Sequence, residues 1–246
     1  MAEVAFTWEG REYTLLYACD TRNVHTPLTP PWLPLEKADW VMVESVYGNR
    51  DHGDFDREFQ RFTDLVNGAI LSNGTVLIPA YSIDRTQKML YVFYRLHARR
   101  ALRRAVDIYV DSRIANRITA DHIDFWRYLG REITGLFKKG MNPFDFPGLH
   151  EGSPPETKRG AKVIIAPSAM CDEGTSIVKH VKRYVGDKDS VVIFTGFVLP
   201  ESIGGRILAG AENVTIEGEA YPVRCKAFRV SVFSGHADRG EIIKWL

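Results

Sequence analysis

The chain has 246 residues, of which 45% are hydrophobic and 26% charged, and its formal net charge is +1. This length can support one large core or two smaller ones, and the near-neutral balance excludes polyanion binding through the charge of the whole surface. The three cysteines are scattered, which argues against a disulfide framework. No apolar run approaches the ~20 residues of a membrane helix, and no signal-peptide pattern is present, which argues against a membrane span and against export. We therefore expect a soluble, cytoplasmic chain.

The first part of the sequence predicts strands that end on carboxylates. Residues 4–8 and 13–17 predict two strands joined by a tight glycine turn, and the second strand runs directly into Asp20. Beyond a proline-rich loop, the apolar run Trp40–Val43 predicts a buried strand that delivers Glu44 into a turn. Ligands of open α/β folds bind at the carboxyl ends of strands, so Asp20 and Glu44 are candidate site residues.

A regular alternation of strands and helices follows, which favours a parallel sheet covered by helices. Apolar residues at helical spacing begin after Asp54, and Ser82 is a candidate N-cap of the next helix. Residues 137–160 predict a long excursion, and residues 211–229 predict an antiparallel ribbon before a last strand at 232–233. The other predicted strands are 76–80, 108–112, 163–168 and 191–194, and the other predicted helices are 82–96, 113–126 and 175–184.

Polar side chains recur at the ends of these strands, and two of them form a candidate pair. His236 follows the last predicted strand directly after Gly235, which allows a sharp bend that leaves the imidazole uncovered. A carboxylate at a strand end must meet water, a cation or a hydrogen-bond donor, and we expect the fold to bring Glu44 and His236 together. The alternatives are a turn cap for Asp20, an ion pair of Glu44 with Arg50 and a structural role for the histidine.

Six segments, in order along nearly the whole chain, carry a family resemblance. They are Glu44–His52 (ESVYGNRDH), Ile78–Gln87 (IPAYSIDRTQ), Val110–Ala115 (VDSRIA), Ala166–Met170 (APSAM), Thr195–Arg206 with TGF and SIGGR, and Phe233–Arg239 (FSGHADR). These segments resemble the β-CASP branch of the metallo-β-lactamase fold nucleases, the group of the cleavage and polyadenylation endonuclease. The chain departs from that pattern at Val46, where threonine is usual, and at Asp84 and Ala169, where glycine is usual.

The resemblance implies a domain organisation. It implies an α/β fold in which a β-CASP domain, a parallel sheet flanked by helices, is inserted into a partial metallo-β-lactamase αββα lobe. Residues 1–46 would then form the C-terminal part of that lobe, residues 47–231 the β-CASP domain and residues 232–246 the return into the lobe.

The resemblance also implies a zinc-dependent ribonuclease, in which two zinc ions activate a hydroxide that attacks a phosphodiester. Asp20 matches the aspartate that bridges the two metals, and Cys19 beside it is expected to be buried. His236 matches the histidine that protonates the leaving oxygen, and Glu44 matches its carboxylate partner, which orients the ring and favours its protonated form. The remaining candidates, for contacts to phosphate or to backbone, are Arg85, Ser112 and Ser168.

The main zinc motif of that family, His-x-His-x-Asp-His, is absent from the 246 residues, and no other histidine spacing substitutes for it. One aspartate cannot hold two zinc ions, because a catalytic site needs about three protein ligands for each metal. We therefore expect a fragment of a longer β-CASP ribonuclease that is inactive alone and binds zinc weakly at most.

Two other functions stay open at this point. One is a non-catalytic β-CASP module that binds RNA or holds a catalytic subunit, and the other is a phosphoesterase of small molecules, which analogy with nucleic-acid clamps disfavours. As partners we expect RNA rather than DNA, a second copy of the chain or a complementary metallo-β-lactamase fragment, and no membrane.

Overall fold

Strand pairing divides the fold into one large sheet and two small ones. The structure, a computed structural model, describes residues 2–19, 21, 26–30 and 37–246. Its strands are β1 (Ala2–Trp8), β2 (Arg11–Ala18), β3 (Trp40–Val43), β4 (Thr75–Pro79), β5 (Asp107–Val110), β6 (Leu149–Glu151), β7 (Lys162–Ala166), β8 (Val191–Phe194), β9 (Asn213–Ile216), β10 (Glu219–Pro222) and β11 (Lys226–Arg229). Its helices are α1 (Phe55–Leu71), α2 (Arg85–Ala98), α3 (Arg113–Asp124), α4 (Arg131–Lys138), α5 (Ser176–Tyr184), α6 (Ile203–Leu208) and α7 (Arg239–Trp245).

The N-terminal strands form a three-stranded sheet in the order β1-β2-β3. β1 and β2 make the predicted hairpin, and β3 runs parallel to β2. The prediction of a strand at Trp40–Val43 is confirmed, but the prediction that it is buried is wrong, since Trp40 is 56% exposed and Met42 53%. An apolar strand is buried only where another layer covers its sheet, and in the described part of the chain the first three residues of β3 stay exposed.

The centre of the molecule is a six-stranded parallel sheet in the order β11-β8-β4-β7-β5-β6. Every residue of β4, β7 and β8 is buried. Because side chains alternate across a strand, Ile78 of β4 packs in a core cluster with residues of α1 and α2, whereas its neighbour Leu77 packs in a second cluster with residues of α5. This arrangement confirms the predicted α/β fold with a parallel sheet flanked by helices.

Helix α1 shows how local sequence sets an element. Asp54 precedes the helix and accepts the N–H of Arg57 at 2.7 Å, which satisfies one of the donors at the helix start. Phe62, Val66 and Ile70 recur at helical spacing and are fully buried. Burial of each such side chain contributes about 1.5–3 kcal/mol to folding, so the apolar stripe rather than the cap holds the helix on the sheet.

Three local predictions are wrong. Ser82 does not cap α2; the residue before that helix is Asp84, which makes no side-chain cap bond. Residues 137–160 are not wholly an excursion, since they contain β6, which pairs in parallel with β5 at the edge of the sheet. Residues 232–233 lie in a 3₁₀ turn over Ser231–Phe233 instead of a strand.

The C-terminal elements match the sequence in part. β9 and β10 form the predicted antiparallel ribbon, whereas β11 joins the large sheet beside β8. The domain boundaries after residues 46 and 231 stay predictions. No helix in the described ranges has both the length and the apolar character that a membrane crossing requires.

Candidate active site

The structure brings Glu44 and His236 into contact. Nδ1 of His236 lies 3.0 and 2.9 Å from the two carboxylate oxygens of Glu44, and 192 positions separate the two residues in the sequence. Because a carboxylate only accepts hydrogen bonds, Nδ1 is the donor. Thr21 donates its hydroxyl to the same carboxylate at 2.8 Å. The Glu44 side chain is 8% exposed and that of His236 36%, so a buried carboxylate orients a ring that solvent reaches.

Arg50, the alternative partner of Glu44, makes a different contact. Its guanidinium lies over the ring of Tyr47, 5.2 Å from the ring centre. Tyr47 is buried, and its backbone forms an isolated parallel bridge with Asp238, two residues after His236. The loop after β3 therefore packs directly against the segment that carries the histidine.

Hydrogen bonds to the main chain hold the backbone around His236. The Nε2 of His52 donates to the carbonyl oxygen of His236 at 2.9 Å, and the His52 main-chain N–H donates to the Asp238 carboxylate at 2.9 Å. The N–H of Ala237 donates to the carbonyl oxygen of Thr21 at 2.7 Å. Thr21 and His52, which are far from this segment in sequence, thus both hold the peptide unit that follows the imidazole, as a preorganised site requires.

Helix α7 extends this bonded unit. Asp238 caps the helix in a capping box with Glu241, in which each side chain accepts an N–H of the other residue. Asp51 accepts from the guanidinium of Arg239 at 2.8 Å and from the N–H of Gly240 at 3.1 Å. The loop that follows Glu44 is therefore tied to the first turn of α7, directly after the histidine segment.

Gly235 serves close packing. Its φ lies outside the left-handed region, so the backbone does not demand glycine there. A Cβ atom at this position would lie 3.3 Å from the carboxylate of Asp84 and 3.4 Å from Nζ of Lys88. Those two side chains form an ion pair of 2.6 Å at the start of α2. The segment before His236 thus packs directly against α2.

A cavity of about 300 Å³ opens beside His236. Its lining includes Pro79 from the end of β4, Ala169 from the segment after β7 and Thr195 from the segment after β8. These three strands are neighbours in the parallel sheet. The carboxyl ends of parallel strands are where α/β folds bind ligands, so the candidate pair lies beside the expected binding crevice.

Arg85, a predicted phosphate contact, lines this cavity and is 7% exposed. Its Nη1 donates to the carbonyl oxygen of Thr195 and lies 3.2 Å from the Thr195 hydroxyl. Burial lowers the pKa of its guanidinium, an effect that the nearby Asp84 carboxylate opposes. Among the described residues its Nε has no acceptor, and no carboxylate lies within ion-pair distance.

The other candidates lie elsewhere. The Ser112 hydroxyl caps α3, and the Ser168 hydroxyl donates to the carboxylate of Asp172 at 2.6 Å; neither serine lines the cavity beside His236. Asp20 lies outside the described residues. Cys19 is exposed, so the expectation that it is buried is wrong.

Metal-binding side chains do not converge in the described part of the chain. Within it, no three His, Cys, Asp or Glu residues form a group that could hold a metal ion. The described residues therefore do not fit a zinc centre, which needs about three protein ligands.

Sequence reasoning did not identify Thr21 and His52 as site residues. His52 lies in the same segment as Glu44, and this is the signal in the sequence that could have indicated a role at the site. The spacing of His52 from other histidines does not match a metal-binding motif. Thr21 follows Asp20 in a segment without periodicity, so nothing in the sequence indicates that its hydroxyl reaches Glu44.

Comparison with known proteins adds family information. Residues 86–207 match the Beta-Casp domain, and residues 220–246 match the Zn-dependent metallo-hydrolase RNA specificity domain. The chain is 32% identical over 245 residues to ribonuclease TTHA0252 of Thermus thermophilus, an alignment that covers 97% of this chain and 56% of the relative. It is 27% identical over 233 residues to transcription termination factor FttA of Pyrococcus horikoshii, covering 89% of this chain and 35% of the relative. The FttA of Methanocaldococcus jannaschii is 26% identical over 256 residues, covering 95% of this chain and 39% of the relative.

Proposed function

Because the chain belongs to the β-CASP family, we propose that it is the part of a zinc-dependent ribonuclease that supplies the general acid and an RNA-binding surface. The contact between Glu44 and His236 carries this proposal. A buried carboxylate that orients a solvent-accessible imidazole beside a crevice is the arrangement that acid catalysis needs. The chain spans about half the length of the Thermus relative, so the activity of the whole protein belongs to the proposal.

The proposed proton transfer follows from the geometry. Nδ1 of His236 donates to Glu44, so the proton that reaches the leaving oxygen of the phosphodiester comes from Nε2. The bond from Nδ1 to the Glu44 carboxylate holds the ring in one orientation before and after this transfer. Positioned acids of this kind contribute about 10²- to 10⁴-fold to a rate.

The family description of residues 220–246 implies zinc, and a bound zinc ion supplies a Lewis acid and a nucleophile at neutral pH. We propose that two zinc ions are held mainly by a segment with the His-x-His-x-Asp-His motif, which the 246 residues lack, and that Asp20 contributes one ligand. We therefore expect the 246-residue chain alone to bind RNA without cleaving it.

The test compares the chain alone with the chain completed by a metallo-β-lactamase segment that carries this motif. With Zn²⁺ and an end-labelled RNA, we expect cleavage by the completed protein only. His236→Ala should slow that cleavage about 10²-fold or more, and Glu44→Gln should slow it by a smaller factor, while zinc content measured by elemental analysis stays the same. His97→Ala is the control, because His97 is exposed and lies outside the cavity lining.

Three results would contradict all or part of the proposal. Equal cleavage rates in His236→Ala and the unaltered protein would exclude the acid role. RNA binding by a completed protein that takes up no zinc and cleaves nothing would favour the non-catalytic module instead, and faster cleavage of a DNA of the same sequence would overturn the choice of RNA.

A further inference from the structure

Arg85 carries a buried positive charge that no described carboxylate pairs with directly. Burying a cation is unfavourable unless an opposite charge and hydrogen-bond acceptors compensate it. Arg85 is 7% exposed, and its Nη1 donates to the carbonyl and hydroxyl oxygens of Thr195. Its buried Nε has no acceptor among the described residues. An unsatisfied buried donor shows that the fold compensates this guanidinium incompletely, and an anion in the adjoining cavity, which Arg85 lines, would compensate its charge.

The surroundings of Arg85 suit an anion. Arg85 is the first residue of α2, so the positive end of the helix dipole lies beside its charge. Asp84, the acidic side chain in the described lining, forms an ion pair with Lys88, so the two together add no net negative charge beside Arg85. Gly196 leaves room for the guanidinium, since a Cβ there would lie 2.6 Å from Nη1 of Arg85.

Exposed aromatic side chains line the same cavity. Tyr81, four residues before Arg85, is 51% exposed, and Phe197, two residues after Thr195, is 40% exposed. Flat aromatic side chains beside a cation form the usual platform for unpaired nucleic acid, because bases stack on the rings while the cation binds the backbone. His236 lines the cavity too, so a phosphate bound there lies on the same surface as the candidate acid.

We propose that this cavity is a nucleotide subsite, in which Arg85 binds a phosphate of the RNA strand and Tyr81 and Phe197 stack on its bases. This inference rests on the proposed function, because it assumes that the bound strand is RNA, and it deepens that function by naming which residues hold the strand beside His236.

The test observes the Arg85 Nε–H group directly in the unaltered 246-residue chain by two-dimensional ¹⁵N–¹H NMR. Its resonance is identified by its absence from Arg85→Lys. Two probes are titrated in turn, inorganic phosphate and a short oligouridylate. We expect both to shift the Arg85 resonance, and the oligouridylate to act at a concentration about tenfold lower because stacking adds to its affinity.

Variants separate the phosphate contact from the base contacts. Arg85→Gln should weaken the binding of both probes by about tenfold or more, since a hydrogen bond to a charged group is lost. Tyr81→Ala and Phe197→Ala should weaken oligouridylate binding by about tenfold and leave phosphate binding unchanged. Arg117→Gln is the control, because the Arg117 side chain is 83% exposed and lies outside the cavity lining.

The outcomes distinguish this inference from the proposed function. An oligouridylate that binds without shifting the Arg85 resonance would overturn the subsite and leave the RNA-binding function standing. A shift with phosphate alone would mean a site for free anions and would also overturn the subsite. No binding of the oligouridylate anywhere on the chain would overturn both proposals. Because the NMR readout uses the unaltered chain, misfolding of Arg85→Gln cannot produce any of these results.

Discussion

At the scale of single residues, His52 joins two parts of the candidate site. Its Nε2 donates to the carbonyl oxygen of His236, its ring centre lies 4.5 Å from that of Tyr47, and its main-chain N–H donates to Asp238. Its Nδ1 is buried and has no hydrogen-bond partner among the described atoms. The side chain therefore acts on the site through the backbone of His236, as a positioning residue without contact to a reacting group.

We predict that His52→Gln changes the environment of the His236 imidazole. Loss of the bond to the carbonyl oxygen and of the ring contact with Tyr47 lets the peptide of His236 move, and it should lower the free energy of unfolding by about 1–3 kcal/mol. The measurement is ¹⁵N NMR of the His236 ring nitrogens together with urea unfolding. In the control His97→Gln both should stay unchanged, and unaltered His236 resonances in His52→Gln would contradict the positioning role.

A second residue-scale prediction concerns Gly235. Gly235→Ala places a Cβ within 3.4 Å of the Asp84–Lys88 ion pair, which is tighter than an ordinary contact. We expect this substitution to push the histidine segment from α2 and to lower the free energy of unfolding by about 1–3 kcal/mol. Gly53→Ala is a comparison without a packing clash, since nothing lies within 4 Å of its Cβ position, although its φ of 86° adds backbone strain. Equal thermal unfolding of Gly235→Ala and the unaltered chain would contradict the packing argument.

At the scale of elements, periodicity in the sequence predicted most of the sheet. The strands β4, β5, β7 and β8 and the helices between them follow directly from apolar runs and helical spacing. The sequence could not reveal β6, because a three-residue edge strand carries too little pattern. It misplaced the start of α2, since Ser82 has the chemistry of a cap while the chain turns at Asp84 with a φ of 63°.

The candidate site was predictable to a similar extent. The pair of Glu44 and His236 follows from the residue types at two segment ends and from the family resemblance. The hydroxyl of Thr21 and the burial of Arg85 depend on how the segments pack, which local pattern does not encode. Exposure of Trp40 was unpredictable for the same reason.

Three elements meet at Asp111, directly after β5. Its carboxylate accepts from Nε2 of His180 on α5 at 2.8 Å and from the Ser153 hydroxyl, two residues after β6, at 2.6 Å. Burial lowers the pKa of His180, and Arg183 and Lys179 act in the same direction, while the bond to Asp111 opposes them. His180 is therefore neutral in the folded protein over a pH range in which the same side chain is protonated in the unfolded chain.

This lowered pKa gives stability a predictable pH dependence. The contribution of His180 is fully present above its ordinary pKa of 6.5 and decreases as pH falls from that value towards the lower pKa of the folded state, because the unfolded chain then binds more protons. We would measure the free energy of unfolding with urea at several pH values between ~7.5 and ~5. We expect this free energy to depend less steeply on pH in His180→Gln, a variant that keeps a donor for Asp111. His97→Gln should keep the original slope, and an identical slope in both variants would contradict this assignment.

At the scale of the whole molecule, the three-stranded sheet presents apolar side chains to solvent. Trp8, Trp40 and Met42 are each more than half exposed, although such a group of side chains is uncommon on the surface of a monomer. The large sheet, by contrast, is covered on both faces. Binding of a second copy of the chain or of a complementary fragment stays a prediction. The exposed face of this sheet is the surface on which we would test for such binding.

We predict that the isolated chain binds a hydrophobic fluorescent dye through this sheet. Trp40→Lys should reduce the dye fluorescence and change the free energy of unfolding by less than about 0.5 kcal/mol, because Trp40 packs against little in the fold. Tyr128→Lys is the matched control, since Tyr128 is 75% exposed and lies far along the chain from this sheet. Dye fluorescence that falls equally in the two variants would contradict this localisation.

The sequence separation of 192 between Glu44 and His236 has a consequence for biosynthesis. A ribosome must release nearly all of this polypeptide before the two side chains can meet, and joining such distant segments is a slow, entropically costly step. We therefore expect the Glu44–His236 pair to form late in folding, so that a nascent or prematurely terminated chain lacks the proposed acid.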